Sequence, residues 1–114
     1  MSCVFCKIAA GEIPATVVAR TPDAMAFRDL NPQAPTHLLV IPLRHLSGMA
    51  ETDSDDGEAL VARTLRLAAQ TARELGLEAG GYRLVINTGA GAGQSVFHLH
   101  VHLLGGRPMR WPPG

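Results

Sequence analysis

Residues 94–106 read QSVFHLHVHLLGG, and this stretch carries three of the chain's five histidines within five positions. Apolar residues fill the gaps between His98, His100 and His102. Because successive side chains of a β-strand point to opposite faces, the spacing predicts a strand with three imidazoles on one face and apolar residues on the other. Each imidazole has two ring nitrogens to satisfy. The residues alone leave three interpretations open, namely a solvated strand face, a zinc site with three histidine ligands, or a nucleophile supported by two further imidazoles.

The segment just before this strand, residues 87–95, reads NTGAGAGQS. Its glycines, Gly89, Gly91 and Gly93, permit tight turns and expose main-chain N–H groups. Such groups, together with the Ser95 hydroxyl and the Gln94 amide, suit phosphate oxygens. The spacing matches neither G-x-G-x-x-G nor a P-loop, and a flexible surface connection is the alternative. The neighbouring histidines favour the phosphate interpretation.

The remaining chain predicts one helix at the N-terminus, three strands, a long helix and two strands. The short helix lies in CVFCKIAAGEIP and ends at Gly11 and Pro14, and the strands are TVVAR, AMAFRDL, THLLVIP, YRLVINTG and FHLHVHLLG. The long helix follows an acidic, hydroxyl-rich start and ends near Gly76. Its predicted apolar face consists of Leu60, Val61, Thr64, Leu65, Ala68, Ala72 and Leu75. This order indicates an α+β fold with a mostly antiparallel, five-stranded sheet.

Composition narrows the class of partner. The chain has 114 residues, 46% of them hydrophobic, and a formal net charge of zero. We expect a single domain over residues 1–114, with no nucleic acid polymer and no membrane as partner, since no basic surface and no long apolar stretch is evident. The N-terminal residues do not resemble a secretory signal, so we expect a cytoplasmic location. There, two cysteines favour thiols or metal ligands over a disulfide.

The motifs point to a family. HLHVHLL, residues 98–104, fits the pattern His-φ-His-φ-His-φ-φ, where φ is apolar, and resembles the histidine-triad (HIT) superfamily. Four segments resemble its Hint branch, the histidine triad nucleotide-binding proteins, and they read AFRDLNPQAPTHLLVIPLRHLS (26–47), LVINTG (84–89), GQSVFHLHVHLLGGRPM (93–109) and WPPG (111–114). The likeness extends from about Phe5 to Gly114.

The resemblance implies a HIT-like homodimer that hydrolyses purine nucleoside 5'-phosphoramidates without a catalytic cofactor. AMP, GMP and their phosphoramidates would be its ligands. His100 would be the nucleophile that forms a nucleotidyl-histidine, flanked by His98 and His102, with His45 and Ser95 as further catalytic residues. The chemistry agrees, because cleaving a P–N bond needs both a neutral imidazole to attack and a proton donor for the leaving amine.

The same resemblance implies a nucleotide-binding set. Asp29 and Leu30 match residues that hold the ribose and wall the base, although an Asx-turn would also explain Asp29. The phosphate and leaving-group contacts would be Asn87, Gly93, Gln94 and Ser95, together with His100 and His102. Phe5, Ile13 and Phe27 would be either base pocket or plain core. His37 is expected to be structural.

The C-terminal tail and two arginines bear on how the chain would select its substrate. Trp111 lies in a C-terminal tail, about residues 105–114, that would reach the active site of the partner subunit in a dimer; a disordered tail is the alternative. Arg28 stands where Hint relatives usually carry a histidine, and Arg110 stands at a variable position. Both residues are candidates for changing substrate preference.

The N-terminal CVFC motif raises the question of a metal. A thioredoxin-type redox motif would follow a strand, and almost nothing precedes this one. Structural zinc needs four ligands. The resemblance to some bacterial histidine-triad proteins implies a zinc site formed by Cys3, Cys6, His45 and His98, whereas two ordinary thiols are the alternative.

Three other functions stay open at this point. The chain could be a purine-nucleotide-binding or scaffold module with little activity. It could hydrolyse dinucleoside polyphosphates or transfer nucleotides to another acceptor, as other members of the superfamily do. It could also be a zinc hydrolase that uses the three histidines as ligands.

Overall fold

The computed structural model describes residues 3–114 and has the predicted α+β architecture, with a fully antiparallel five-stranded sheet in the order β1-β2-β3-β5-β4. Two α-helices accompany the sheet within these residues. The elements are α1 (Val4–Ala9), β1 (Val17–Arg20), β2 (Ala24–Arg28), β3 (Thr36–Pro42), α2 (Asp55–Glu74), β4 (Tyr82–Val85) and β5 (Val101–Gly105), with two 3₁₀ turns at Met49–Glu51 and Ala90–Ala92. Neither α-helix in the described range is long and apolar enough to cross a membrane.

The long helix α2 begins and ends where the sequence predicts. The Ser54 hydroxyl accepts a hydrogen bond from the main-chain N–H of Gly57 at 3.0 Å and so caps the first turn. Acidic residues fill that turn, where the positive end of the helix dipole stabilises their negative charge. Gly76 adopts φ +75°, which suits a residue just past the helix end.

The buried face of α2 differs in part from the predicted one. Leu67 and Thr71 are buried, whereas Leu75 is 38% exposed. Thr71 fits an apolar interface because its hydroxyl donates to the carbonyl of Leu67 at 2.7 Å, which satisfies the polar group within the helix. A threonine can therefore belong to the core stripe as readily as a leucine.

The sheet has two buried faces of different composition. The first packs against α2 and forms an aliphatic cluster of Ala24, Ala26, Val40, Leu67, Ala68 and Val101. The second consists of Met25, Phe27, Leu39 and Ile41 and packs against Phe5 of α1. His102 pairs with Leu39 across the β3–β5 ladder, which places its side chain on the α1 face. The histidines thus lie on the side of the sheet that the short helix only partly covers.

The triad segment is less regular than the predicted strand. β5 begins at Val101, so His98 and His100 lie in the bend that precedes it and only His102 is in the strand. Continuing the observed register, in which Val40 faces Val101, would place Pro42 opposite Leu99. Proline has no N–H to donate to a ladder, and the N–H of Leu99 instead donates to the carbonyl of Leu46 at 2.6 Å. The alternation of faces nevertheless holds, since Leu99 packs with Leu46 and Leu60 on the α2 side.

The C-terminal tail follows β5 and is tied to the domain at two places. Arg83 donates to the carbonyl of Arg110 at 2.8 Å, and Arg107 donates to the carbonyl of Gln33 through Nε at 3.1 Å. Trp111 is 83% exposed. The tail is therefore fixed along its path but leaves its one large aromatic side chain uncovered.

Candidate active site and metal centre

His100 has one ring nitrogen committed to the main chain and one free. Its Nδ1 lies 2.8 Å from the carbonyl oxygen of His98, and since a carbonyl only accepts, Nδ1 carries the proton. The ring meets Phe5 edge to face at a centroid distance of 5.2 Å, and it contacts His102 at 5.0 Å. In the neutral form, Nε2 therefore carries the lone pair, on a ring whose orientation is fixed.

His102 belongs to a hydrogen-bonded chain with His37 and Asp29. The main-chain N–H of Gln33 donates to His37 Nδ1 at 3.0 Å, so the neutral His37 ring carries its proton on Nε2. That Nε2 lies 2.9 Å from His102 Nδ1 and 3.4 Å from Asp29 Oδ2. His37 thus donates to His102 Nδ1, which leaves the proton of the neutral His102 ring on Nε2.

His102 is neutral near pH 7 in this environment. Burial removes water that would stabilise the imidazolium, and the neighbouring imidazoles of His100 and His37 add repulsion, so the pKa of His102 falls to about 4. Asp29 opposes this shift only in part. His102 therefore offers an uncharged N–H donor rather than a cation in the free protein.

An apolar pocket of about 240 Å³ opens beside Asp29. Phe5, Ile13 and Phe27 line it, as do Ile8 and Leu39. Phe5 and Phe27 are also buried core residues, whereas Ile13 is only partly buried. Leu30 stands at its rim and is fully exposed. Asp29 Oδ1 accepts from the N–H of Asn31 at 2.8 Å, the expected Asx-turn, while Oδ2 faces His37. This volume is smaller than that of drug-sized ligand sites and suits one flat ring system.

The glycine loop is more self-contained than predicted. The N–H groups of Ala92, Gly93 and Gln94 donate to carbonyls of the same loop, at Gly89 and Ala90. Buried Gln94 accepts from the N–H of Gly89 at 2.8 Å and donates to the carbonyls of Ser47 at 2.7 Å and Val96 at 3.2 Å. These groups hold the loop in shape, and their donors are already used.

Other predicted phosphate contacts lie at the edge of the same loop. The amide nitrogen of Asn87 is 3.9 Å from the position that a Cβ of Gly93 would occupy. Ser95 is exposed, lines an open cavity of about 740 Å³ together with His45 and Cys6, and makes no side-chain hydrogen bond to any described residue. Its hydroxyl is therefore available to a ligand.

The second set of histidines meets the two cysteines. His98 Nδ1 lies 3.4 Å from Cys3 Sγ, 3.5 Å from Cys6 Sγ and 3.2 Å from His45 Nδ1. Cys6 Sγ lies 3.4 Å from His45 Nδ1. The four donor atoms are all within 4.8 Å of one another. The predicted metal-ligand set is therefore brought together in space.

These distances fit one tetrahedral ion. Zn–S bonds of about 2.3 Å and Zn–N bonds of about 2.0–2.1 Å place neighbouring donors roughly 3.3–3.8 Å apart. His98 Nε2 donates to the carbonyl of Pro42 at 2.8 Å, so the neutral ring turns a bare lone pair on Nδ1 toward the sulfurs. A histidine whose distal N–H is held by a carbonyl is the usual arrangement of a zinc ligand. The residues fit structural zinc.

The two histidines outside the triad lie in different groups. The sequence analysis assigned His45 both to the active site and to the metal-ligand set, and it gave His37 a structural role. His45 contacts the cysteines and His98, whereas His37 contacts His102 and Asp29. The alternation in β3 carried the missing information, because positions 37, 39 and 41 share the face of the sheet on which His102 lies.

Comparison with known proteins identifies the class. Residues 10–109 match the model of the HIT domain family, so the chain belongs to that family. A solved HIT family hydrolase from Legionella pneumophila is 54% identical and superposes with a TM-score of 0.94, covering 99% of this chain and 100% of its own. A histidine triad protein from Clostridium difficile is 40% identical, with a TM-score of 0.91 and coverage of 96% and 95%.

A relative from Zea mays bears on the metal. It is named 14 kDa zinc-binding protein and is 51% identical over 113 residues, which span 97% of this chain and 87% of the relative. The present chain is thus similar both to solved HIT hydrolases and to a protein named for zinc binding.

Proposed function

We propose that the protein hydrolyses purine nucleoside 5'-phosphoramidates through a nucleotidyl intermediate on His100. The observation that carries this proposal is the hydrogen bond from His100 Nδ1 to the His98 carbonyl, which leaves Nε2 as the free nucleophile. HIT family proteins bind nucleotides in general, and the chain resembles HIT hydrolases. The covalent route divides one difficult displacement at phosphorus into two easier ones.

In the first step, Nε2 of His100 forms a bond to the α-phosphorus while the P–N bond breaks. The leaving amine takes a proton as it departs, since an unprotonated amide ion is a very poor leaving group. His102 is the donor in this scheme: it takes up a proton from solvent when the phosphoryl anion binds, because that anion favours the imidazolium form, and it then gives its Nε2 proton to the amine. In the second step, the now neutral His102 takes a proton from water as the water oxygen bonds to phosphorus, the His100–phosphorus bond breaks, and a nucleoside monophosphate is released.

The hydrogen bonds from Gln33 to His37 and from His37 to His102 prepare His102 to donate a proton. His37 fixes the proton of neutral His102 on Nε2, so His102 points a donor, not a lone pair, toward the reacting group. A preorganised donor aimed at developing phosphoryl charge typically contributes on the order of 3 kcal/mol to a barrier. The Ser95 hydroxyl supplies a second donor in this proposal.

The apolar pocket takes the purine, and Asp29 accepts from a ribose hydroxyl at its mouth. Phe5, Ile13 and Phe27 provide a flat, mostly apolar enclosure that discriminates poorly among purines. Arg28 also lines this pocket, at the base end of the site and not at the end where an amine would leave. Its effect on substrate preference is therefore expected on the nucleoside.

We also propose a single-domain homodimer located in the cytoplasm. Leu30 and Trp111 are fully and 83% exposed, respectively, and a second subunit would cover such side chains. The tail that carries Trp111 would then lie near the partner's active site. Size measurement in solution tests this assembly, and a monomer at micromolar concentration would contradict it.

Cys3, Cys6, His45 and His98 are proposed to hold a structural zinc ion. Four protein ligands fill a tetrahedral site, and a filled site leaves no position for substrate or water. The ion would cross-link α1 to the two loops that carry His45 and His98. Elemental analysis of wild type and of the Cys3→Ser and Cys6→Ser variants tests this, with about one zinc per chain expected only in wild type. A zinc-free wild type would contradict it.

The catalytic proposal is tested with a panel of AMP- and GMP-linked amines. His100→Ala should abolish turnover and also the nucleotidyl adduct that mass spectrometry detects after rapid quenching, while AMP binding is partly retained. Arg73→Gln, which removes an exposed ion pair with Glu78, serves as the matched control and should behave as wild type. Normal turnover by His100→Ala would refute the proposal, and AMP binding without hydrolysis by wild type would favour a binding module.

A further inference from the structure

His98 links the cysteine cluster to the nucleophile. Its ring makes contacts through both nitrogens, Nδ1 to the cluster and Nε2 to the carbonyl of Pro42 at 2.8 Å. Its main-chain carbonyl accepts a hydrogen bond from His100 Nδ1–H, also at 2.8 Å. One fully buried residue therefore holds the metal-type cluster with its side chain and the nucleophile with its backbone.

The backbone at this point has little other support. His98 and His100 precede β5 and lie outside the β-ladders, which begin at Val101 and His102. In the described chain, the bend from Phe97 to His100 makes one loop-type main-chain bond, from Leu99 N to Leu46 O. The acceptor of that bond, Leu46, is the residue next to His45. The ring of His98 therefore anchors the carbonyl that orients His100, together with this bond and the buried side chain of Leu99.

We propose that Cys3, Cys6 and His45 are positioning residues for the nucleophile, and that a zinc-class divalent ion held with His98 fixes the main chain at His98 and thereby the ring of His100. This inference rests on the proposed zinc site, and its kinetic part rests also on the proposed hydrolase activity. The ion touches neither substrate nor His100. Its effect is to fix the second nitrogen of a ring whose first nitrogen is already fixed by Pro42.

Without the ion, the anchor is much weaker. A thiol is a weak hydrogen-bond donor, and the contacts from the two sulfurs to His98 Nδ1 are 3.4 and 3.5 Å. A metal-free protein thus retains the Pro42 contact but loses a rigid constraint on the other side of the ring.

The cluster also begins the helix that carries Phe5, so a simpler explanation must be separated. Cys3 Sγ accepts from the N–H of Cys6 at 3.4 Å, and Phe5 between them contacts both His98 and His100. If the ion merely held α1, its removal would open the apolar pocket and weaken nucleotide binding. If it positions His100, its removal would slow the chemical step while AMP affinity changes little.

The test compares metal-free, Zn²⁺-loaded and Co²⁺-loaded full-length protein. Co²⁺ should give the absorption of a tetrahedral site with thiolate ligands in wild type and lose it in Cys6→Ser. The ring proton on His100 Nδ1, followed by ¹⁵N-histidine NMR, should exchange with solvent faster without metal. Activity toward an AMP-linked amine should fall about 10- to 100-fold in kcat, the cost typical of a displaced supporting group, and return when Zn²⁺ is added.

Leu77→Ala controls for a general loss of stability, because Leu77 packs near Gly105 at the far end of β5. It should lower the melting temperature without changing kcat or the exchange of the His100 proton. Equal exchange rates with and without metal would overturn the inference, as would a loss of AMP affinity that matches the loss of kcat. If loaded wild type shows no hydrolysis at all, the proposed function fails, whereas the NMR comparison still decides the positioning role.

Discussion

The Cys3–Cys6–His45–His98 cluster and the Asp29–His37–His102 group lie close to the same nucleophile, and both bring several metal-ligand side chains within 4.8 Å. They differ in where the protons are. In the first, the distal nitrogen of His98 donates to Pro42, so the lone pair faces the sulfurs. In the second, the N–H of Gln33 places the proton of His37 between the two rings.

This difference separates a metal site from a proton-ordering site. A metal needs lone pairs that converge without intervening protons. His98 already satisfies that condition, and the two thiols would release their protons when an ion binds. The second needs to lose a proton and a hydrogen bond of 2.9 Å before it could bind an ion. Main-chain groups that carry no charge, Pro42 O and Gln33 N, therefore decide what each set of histidines does.

The largest expected effect is a selective response to metal removal. Wild type should melt roughly 10–20 °C lower in chelator, because a ligand present at 1,000 times its dissociation constant stabilises the fold by about 4 kcal/mol. Calorimetry measures the shift. His37→Gln should keep this sensitivity and Cys3→Ser should lose it. If His37→Gln lost it as well, the two groups would not be chemically distinct.

The next effect sharpens the role of the second group. His37→Phe removes the donor to His102 while keeping an aromatic ring, and it should lower kcat about 10- to 100-fold with a smaller change in KM. His37→Gln retains an N–H donor and should recover part of the loss. Steady-state kinetics of both variants on an AMP-linked amine gives the comparison. Wild-type kcat in His37→Phe would show that the tautomer of His102 does not matter.

The order of the elements could be predicted from the sequence because hydrophobic period and turn chemistry are local. THLLVIP coincides with β3, Thr36–Pro42, and Ser54 and Gly76 delimit the long helix as expected. The bend at His98 and His100 could not be predicted in the same way. It depends on Pro42, which lies 56 positions before His98 in the sequence. Pro42 ends strand β3, the neighbour of β5, and its carbonyl accepts a hydrogen bond from the ring of His98.

The site shows the same division between local and non-local information. The four cluster residues and His100 could be named from their positions in the family's motifs, and the structure brings the four cluster residues together. The partnership of His37 with His102 depends on the pairing of β3 with β5, which no local pattern specifies. The bonds of the Gln94 amide to main-chain groups of two loops could not be predicted for a related reason, because the fold brings those loops together. The phosphate contacts of the glycine loop stay a prediction.

The smallest expected effect tests the second group without any substrate. The pKa of His102 is lowered from 6.5 to about 4 in the folded protein, mainly by burial. Between these two values the unfolded chain binds a proton that the folded protein excludes, so folding stability should fall as pH drops from about 6.5 to about 4 and level off below. After discounting for partial solvent exposure, the loss due to His102 should be about 1–2 kcal/mol. Denaturant unfolding of wild type and His102→Gln, both in chelator, isolates it, because His98, whose pKa is also lowered by burial, contributes equally to each. Identical pH slopes in the two proteins would mean that His102 takes up its proton as readily in the fold as in water, and the neutral donor assigned to it near pH 7 would have to be abandoned.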